Sequence, residues 1–488
     1  MPPKRKHFKK GKPNQIVRIA KPFRQFMQYE ASGGLVLLAC VVISLVIANL
    51  PIGDSYVTIW DTAIGLVIGP FSIEKPLLFW INDLLMVFFF FLIGLEVKGE
   101  LLIGELSSRN NALAPVIGAM GGMIVPAFIF VMFNPIGSQG ANAWAIPIAT
   151  DIAIVLGLLS IFGKKVPTSL KIFITTLAIT DDIGGVIIIA LLYSHGFSLL
   201  HLELAALVFI LLITLNRIGI RHIAPYALLG IFLWLEFLLS GIHPTITGIL
   251  IALSIPATTK IDHKEFKERS NQIMHRINIV TEDGSAEDDI VVLLNLSRTL
   301  EMTCKDIEAP LQQAEHALTK WLAFMIVPVF ALANSAISVA QLNPAMLVSP
   351  ISIGIILGLI IGKPLGVLLA MWVGIKIGQI NLPKDVDWEM MISVSFLTGI
   401  GFTISTFIAS LAIADPILLT TSKVAILSAS MISGVIGFLS FRHVLRKREI
   451  ASFPYVAPEV PETLNIIVAK ETPVEIIEDK GKKDSLAE

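Results

Sequence analysis

Charged residues and cysteines are scarce in this chain of 488 residues, in which Asp, Glu, Lys and Arg together make up 15% and cysteine occurs twice. Cys40 lies in an apolar run and Cys304 in a polar segment, which argues against a disulfide framework or a cysteine-based metal site. Each Gly-Lys pair is followed by Pro or Lys, so the sequence has no phosphate loop ending in Gly-Lys-Ser/Thr. Ligands for a redox cofactor are also missing, and we predict neither a cofactor nor an enzymatic activity.

Apolar residues dominate the composition: they make up 54% of the chain, and its mean hydropathy is +0.77. Such a chain is typical of an all-α polytopic membrane protein, whose main partner is the lipid bilayer. The formal net charge is -1, so no nucleic-acid partner is indicated. The basic N-terminal stretch is followed by more polar sequence and not by a cleavable signal pattern, so the first apolar run is predicted to be retained.

Twelve apolar runs are predicted to be transmembrane helices. Eight lie in residues 25–257 and four in residues 318–445, and basic connections alternate with basic-poor ones between them. Because cytoplasmic connections are enriched in Lys and Arg, this alternation predicts that both termini are cytoplasmic. The predicted spans are 31–52, 77–99, 111–133, 143–162, 170–193, 200–216, 223–242, 244–257, 318–340, 350–375, 390–412 and 422–441.

Three segments are predicted to lie outside the membrane, on the cytoplasmic side. Residues 1–24 form a basic tail, and residues 446–488 form a Pro-rich, charged tail that is predicted to be disordered. Residues 258–317 mix charged and apolar sequence, which favours a solvated linker and leaves an amphipathic helix as the alternative.

Two adjacent carboxylates, Asp181 and Asp182, lie near the middle of the fifth run, FITTLAITDDIGGVIIIALLY. A charge at the bilayer midplane costs at least about 2.5 to 3.5 kcal/mol, so the pair is expected to contact an ion, a proton or an opposite charge. Lys363, halfway through the tenth run, is the candidate counter-charge. Neighbours on a helix point about 100° apart, so one aspartate can pair with Lys363 while the other faces a cavity.

Two runs contain signals for a helix that breaks at membrane depth. The fourth has Pro147 before Asp151, and the eleventh has Gly399 and Gly401 in mid-span. A broken span exposes backbone dipoles that only a protein-lined or wet cavity can satisfy. Two such spans in corresponding three-span groups predict inverted repeats with an ion site between them. Thr150 is either a ligand at that site or a hydroxyl that bonds back to its own helix.

The carboxylates at this depth, including Asp151, offer oxygen ligands that suit hard cations. A site that holds either a proton or a cation, and opens alternately to each side, is sufficient for antiport. Two alternatives remain open. One is a proton-gated cation channel that uses the same acids, and the other is a non-transporting scaffold in which these residues are contacts between helices and residues 258–317 bind a partner.

Six motifs resemble those of the bacterial NhaA sodium/proton antiporters, occur in the family order and cover most of residues 25–445. The paired-Asp and Gly-Lys-Pro-Leu-Gly motifs are specific to that family. The motifs are FLIGLEVKGEL (91–101), AIPIATDIAIVLG (145–157), LAITDDIGGVIIIAL (177–191), SGIHPTITG (240–248), IIGKPLGV (360–367) and GIGFTISTFIASLA (399–412).

The resemblance implies a twelve-helix protein of the bacterial inner membrane whose fourth and eleventh helices are unwound and cross at the site. It implies electrogenic export of sodium or lithium in exchange for external protons, activated at alkaline pH, which regulates intracellular pH and sodium. Asp182 matches the primary ion and proton carrier and Asp181 the partner of Lys363, so sodium is expected at Asp182 and Asp181. Thr150 and Asp151 match positions that compensate backbone dipoles and support binding. Family members commonly form dimers, so a homodimer is expected.

The sequence departs from this family at the cytoplasmic funnel, where Lys98, Gly99 and Glu100 stand in place of the usual Lys-Arg-Glu. An Arg that the family uses in pH activation is therefore missing. Glu96 and Glu315 remain candidates for pH sensing or for lining the funnel.

Asp83 and His243 are further candidates for the same role. Asp83 and Glu96 lie at opposite ends of the second span, where a solvated position is expected for both. His243 is interpreted as a loop or cap residue in preference to a metal ligand.

Overall fold

The apolar runs form α-helices, which satisfy their backbone N–H and C=O groups within one segment, as the hydrocarbon core of a bilayer requires. The computed structural model describes residues 32–68, 71–193, 198–283, 288–338 and 344–452. The predicted basic tail 1–24 and the tail beyond residue 452 lie outside the described residues. Residues up to Val444 belong to one unit, and the described part of the second unit, which begins at Leu445, is helical.

Among the described residues, nine helices are long and apolar enough to cross a membrane, or up to eleven if two bent pairs each count as one span. The predicted span 244–257 is a helix of only 9 residues, about 14 Å long, so the predicted count of twelve is not reached by length and composition. In chain order the helices are α1 (Ser32–Ala48), α2 (Gly53–Asp61), α3 (Leu77–Leu102), α4 (Arg109–Phe133), α5 (Ile152–Ile161), α6 (Thr168–Leu192), α7 (Leu199–Ile218), α8 (Ile223–Ser240), α9 (Ile246–Ser254), α10 (His263–Asp283), α11 (Asp288–Ile307), α12 (Pro310–Asn334), α13 (Pro344–Leu347), α14 (Pro350–Lys376), α15 (Trp388–Thr398), α16 (Phe402–Ala412) and α17 (Pro416–Ser452).

The connection between the first two predicted spans contains structure that the sequence did not lead us to expect. Helix α2 is bent by 114° from α1. Strand β1 (Ala63–Ile68) then pairs antiparallel with β2 (Phe71–Pro76), with Ala63 opposite Pro76. The Val and Ile residues of β1 favour an extended chain. Apart from this hairpin, the regular structure of the described residues is helical.

Both predicted interruptions occur. The chain forms a 3-10 turn over Ala141–Ile148, is extended at residues 149–151 and resumes as α5. Helices α15 and α16 are separated by residues 399–401 and are bent by 41°. A Cβ on Gly401 would lie only 2.8 Å from the Ala149 carbonyl oxygen, so glycine is needed where the two breaks touch.

Residues 258–283 and 288–317 are largely helical, which favours the helical alternative over the solvated linker, and their cytoplasmic location stays a prediction. Helices α10 and α11 have 21 and 20 residues. The Asp262 carboxylate accepts a hydrogen bond from the Glu265 N–H at the start of α10, and Glu265 pairs with Arg269 one turn later. Helix α17 likewise continues to Ser452, so the first residues of the predicted disordered tail are helical.

Close packing of α4 against α14 positions the buried lysine of α14. A Cβ on Gly121 would lie 2.2 Å from the Gly366 carbonyl oxygen, so the two backbones are in direct contact there. A π turn over Gly358–Gly362 immediately precedes Lys363 and changes the direction in which the following residues point. The side chain of Lys363 is completely buried.

Candidate ion-binding site

The five residues predicted for the site converge in the interior, where the two helix breaks meet. Asp181 and Asp182 lie in the middle of α6, and Lys363 lies halfway along α14. Thr150 and Asp151 lie in the extended segment before α5. Each of the five side chains is at most 5% exposed. A group of charges this deeply buried is stable only if it is paired, hydrogen-bonded or bound to an ion.

Asp181 is paired with Lys363. Lys363 Nζ lies 2.7 Å from Asp181 Oδ2, with both side chains fully buried, and it also donates to the Ile148 carbonyl oxygen. Thr150 Oγ1 lies 3.0 Å from Asp181 Oδ2 and 3.0 Å from the Thr398 carbonyl oxygen, so its single proton can be donated to either. Thr150 therefore bonds to other helices and not back to its own.

Asp151 links the two breaks. Its backbone N–H donates to the Ile400 carbonyl oxygen at 2.6 Å. Its Oδ2 accepts from Thr403 Oγ1 at 2.7 Å and from the Thr403 N–H at 3.2 Å, while Oδ1 accepts from the Ile154 N–H at 3.3 Å. One carboxylate thus caps the N-termini of both α5 and α16.

The charges at the breaks are matched to the helix ends. A helix carries a partial positive charge at its N-terminus and a partial negative charge at its C-terminus, each about half an elementary charge. The negative Asp151 faces two N-termini. The donors Lys363 and Thr150 face the carbonyl oxygens of Ile148 and Thr398, where the 3-10 turn and α15 end. These side chains therefore stabilise the unwound backbone at membrane depth.

Asp182 differs from its neighbour because it opens onto a cavity. Asp182, but not Asp181, lines a cavity of about 590 Å³. Oδ1 of both aspartates is buried without a hydrogen-bond partner among the described residues, but Lys363 forms an ion pair only with Asp181 there. The sodium ion expected at the pair remains a prediction, and the described residues include no group of three His, Cys, Asp or Glu that could hold a metal ion.

The cavity that leads to Asp182 is strongly acidic. Glu96 and Glu315 lie on α3 and α12, within electrostatic range of each other. Lys171 is the one cationic side chain among the described lining residues. The acidic lining residues are Glu96, Glu100, Asp151, Asp182 and Glu315. We call this space the acidic cavity; its field attracts cations towards Asp182.

The residues at the family's Lys-Arg-Glu position do not add a cation to the acidic cavity. Lys98 turns away and donates to the carbonyl oxygens of Leu253 and Ile255 at the C-terminus of α9. Gly99 lines the cavity, and a Cβ there would meet only the Leu311 side chain, at 3.7 Å.

Asp83 and His243 lie away from the acidic cavity, at the other end of α3. Glu96 is 13 residues beyond Asp83, about 20 Å along the helix. The solvated position expected for Asp83 is wrong: the residue is 8% exposed, and its Oδ1 lies 3.3 Å from His243 Nε2. His243 Nδ1 lies 2.8 Å from Thr245 Oγ1. Burial lowers the pKa of His243 to about 4, so the ring is neutral at neutral pH.

Several hydroxyl side chains that were not predicted form hydrogen bonds with Asp151 and with the backbone of the two breaks. Thr403 is the principal partner of Asp151. Ser405 Oγ donates to the Ile146 carbonyl oxygen at 2.7 Å, and Ser430 Oγ accepts from the Gly401 N–H at 3.3 Å. The signal that could have identified Thr403 and Ser405 is the density of hydroxyl residues in FTISTF, directly after a Gly-rich break.

This fold and this site define an integral membrane protein of many helices, built around a buried ionisable site of the kind that marks an ion pathway. Comparison with known sequences specifies the family. The profile of the family described as Na+/H+ antiporter 1 matches residues 24–441, and the chain belongs to that family.

Curated relatives cover nearly the whole chain. The Na(+)/H(+) antiporter NhaA of Oleidesulfovibrio alaskensis is 40% identical over 442 residues, which are 90% of this chain and 97% of the relative. The Na(+)/H(+) antiporter NhaA of Pelagibacter ubique is 39% identical, covering 88% of this chain and 100% of the relative. That of Syntrophobacter fumaroxidans is 39% identical, covering 86% of this chain and 90% of the relative.

Proposed function

We propose that this protein is an electrogenic sodium/proton antiporter of the bacterial inner membrane, which also accepts lithium and exports either ion in exchange for external protons. The observation that carries the proposal is Asp182, a buried carboxylate at the acidic cavity that forms no ion pair with the described residues and whose Oδ1 has no hydrogen-bond partner among them. Its position in a member of an antiporter family supports sodium and protons as the two competing occupants.

The exchange follows from the cost of an unpaired carboxylate. A bare negative charge on Asp182 is unstable in such buried surroundings, so the group holds either a proton or a sodium ion. Each occupant must leave before the other binds, and opening the site alternately to the two sides turns this competition into antiport. Hydroxyl or backbone oxygens at the breaks, together with water, would complete the ligands that a hard cation needs.

Electrogenic exchange requires a second proton, and the Asp181–Lys363 pair is the proposed source. Lys363 Nζ and Asp181 Oδ2 form a buried ion pair. If an incoming sodium ion engages Asp181 as well as Asp182, this pair is broken, and we propose that the pair gives up one proton in that step. Two protons would then move for each sodium ion, and one net charge would cross the membrane per cycle.

We further propose twelve spans, with the interrupted fourth and eleventh crossing at the site, and both termini in the cytoplasm. The hydrogen bonds between the two breaks and the alternation of basic connections support this topology. The acidic cavity then opens to the cytoplasm. A homodimer is proposed from the family resemblance, and native mass spectrometry in detergent tests it.

The decisive experiment measures exchange in proteoliposomes containing a pH-sensitive dye. Adding sodium or lithium should move protons, and an imposed proton gradient should drive sodium uphill, whereas a channel only dissipates its gradient. Asp182→Asn should abolish the exchange. Glu203→Gln is the matched control, because that carboxylate is exposed on α7 and does not line the acidic cavity. Full exchange in Asp182→Asn would refute the proposed role of Asp182.

Alkaline activation is proposed to depend on Glu96 and Glu315 in the acidic cavity. Gly99→Arg tests this, since a side chain can be added at Gly99 without a backbone clash. The added cation would keep neighbouring carboxylates ionised at lower pH, so activation should begin at lower pH than in the wild type. An unchanged pH profile would place the sensor elsewhere.

A further inference from the structure

A second polar network lies at the end of α3 that is remote from the acidic cavity. Lys423, near the start of α17, donates from Nζ to Asn334 Oδ1 at 3.1 Å. Asn334 Nδ2 in turn donates to Asn82 Oδ1 at 2.8 Å. Asn334 is only 2% exposed, and Asn82 lies beside Asp83 in the π turn of α3. A line of hydrogen bonds therefore runs from a half-buried lysine into the interior.

Lys423 also lines a cavity of its own. This cavity of about 290 Å³ shares no lining residue with the acidic cavity. Asp54 and Thr420 line it too, and Asp54 is exposed. Asp61, also exposed, is the carboxylate within electrostatic range of Lys423. An exposed carboxylate, Asp54, therefore lines this cavity together with the lysine and its buried asparagine partner, and a second exposed carboxylate, Asp61, lies within electrostatic range of the lysine.

Two helices independently place this network and the acidic cavity at opposite ends of the molecule. On α3, Asn82 and Glu96 are 14 residues apart, about 21 Å along a helix. On α12, Glu315 and Asn334 are 19 residues apart, about 28 Å. An ion that enters through the acidic cavity and leaves on the other side of the membrane passes towards the end where Lys423 lies.

We propose that Lys423 is a charge barrier at the second mouth of the ion path, which lowers the affinity for cations from that face and so promotes their release there. The proposal rests on the antiport function proposed above. Exposed carboxylates at this mouth would otherwise favour rebinding of a released cation. One positive charge near the path, partly screened, changes cation affinity by about threefold to tenfold.

Everted and right-side-out membrane vesicles test the barrier, since they present opposite faces to added sodium. Lys423→Gln should lower the half-saturating sodium concentration about threefold or more in right-side-out vesicles and leave it unchanged in everted ones. Lys423→Arg keeps the positive charge, so its half-saturating sodium concentration should equal that of the wild type in both vesicle orientations. Lys75→Gln is the matched control, because it removes an exposed lysine from β2 at the same end of α3.

Thr420→Asp gives an independent variant in case Lys423→Gln does not fold. It places an opposite charge three residues before Lys423 on the same face of α17, where the two side chains can pair. Thr420→Asp should also lower the half-saturating sodium concentration in right-side-out vesicles. Equal shifts in both orientations, or no shift in a variant that still exchanges ions, would overturn the barrier. Absence of exchange in the wild type would instead refute the antiport function, and the barrier with it.

Discussion

Asp181 and Asp182 are adjacent in the sequence and occupy opposite kinds of environment. Asp181 is held by Lys363 at 2.7 Å and by Thr150 at 3.0 Å. Asp182 Oδ1 is buried with no hydrogen-bond partner in the described part of the chain, and the side chain faces a cavity lined by further acids. The contrast assigns a structural role to the paired Asp181, and it is the basis for the proposal above that Asp182 exchanges a sodium ion and a proton.

The largest effect on stability is expected from breaking the ion pair between Asp181 and Lys363. Lys363→Met should destabilise the protein by about 3 to 5 kcal/mol, because it leaves Asp181 buried without its counter-charge. The double variant Asp181→Asn/Lys363→Met should recover much of that loss, as both charges are gone. Unfolding by SDS in mixed micelles measures both variants. Equal instability of the single and double variants would mean that the charge pair is not the cause.

The second expectation concerns His243, whose partner Asp83 is a buried acid remote from the ion-binding site. The pKa of His243 is lowered from 6.5 to about 4 by burial. As the pH falls below 6.5, the unfolded chain binds a proton that the folded protein does not accept until about pH 4. Stability is therefore fully present above that window and should fall by up to about 3 kcal/mol across it.

His243→Gln should remove this part of the pH dependence, and unfolding titrations across the window measure it. A wild-type stability that stays flat as the pH falls would show that the Asp83 carboxylate offsets the effect of burial by stabilising the protonated ring.

A smaller effect is expected at the partner of Asp151. Thr403→Val removes one hydrogen bond to the Asp151 carboxylate and should cost about 1.5 to 3 kcal/mol. Thr403→Ser keeps the donor and should be milder. Thr406→Val is the matched control on the same helix, because Thr406 Oγ1 is buried and has no hydrogen-bond partner in the part of the chain that the structure describes, so its loss should cost little. Similar costs at the two positions would argue against the role of Thr403 as a cap.

The smallest effect on stability is expected at Asp182, the aspartate that faces the acidic cavity. Asp182→Asn breaks no hydrogen bond to Oδ1 and removes a poorly solvated charge, so stability should change by less than about 1 kcal/mol or increase. The same variant should lose ion exchange completely. A destabilisation as large as that of Lys363→Met would mean that Asp182 also has a structural partner.

Fold prediction succeeded where a long apolar run had to become a helix and failed where the chain leaves the membrane. The hairpin of residues 63–76 and the helices α10 and α11 depend on local pairing and weak amphipathic signals, which hydropathy does not resolve. The two breaks were predictable because Pro147 and the glycines around Ile400 interrupt otherwise helical sequence. The hydrogen bonds from Asp151 to both breaks were not predictable, because its partner Thr403 is 252 residues away in the sequence.

The sequence alone was enough to predict three carboxylates and a lysine within apolar spans, because apolar length sets the spans and a charge within them needs compensation. It was also enough to predict that two spans break. Which aspartate faces Lys363 and which faces the acidic cavity depends on the packing of the helices. Adjacent residues on a helix point about 100° apart, and the direction of each depends on how α6 is packed against its neighbours.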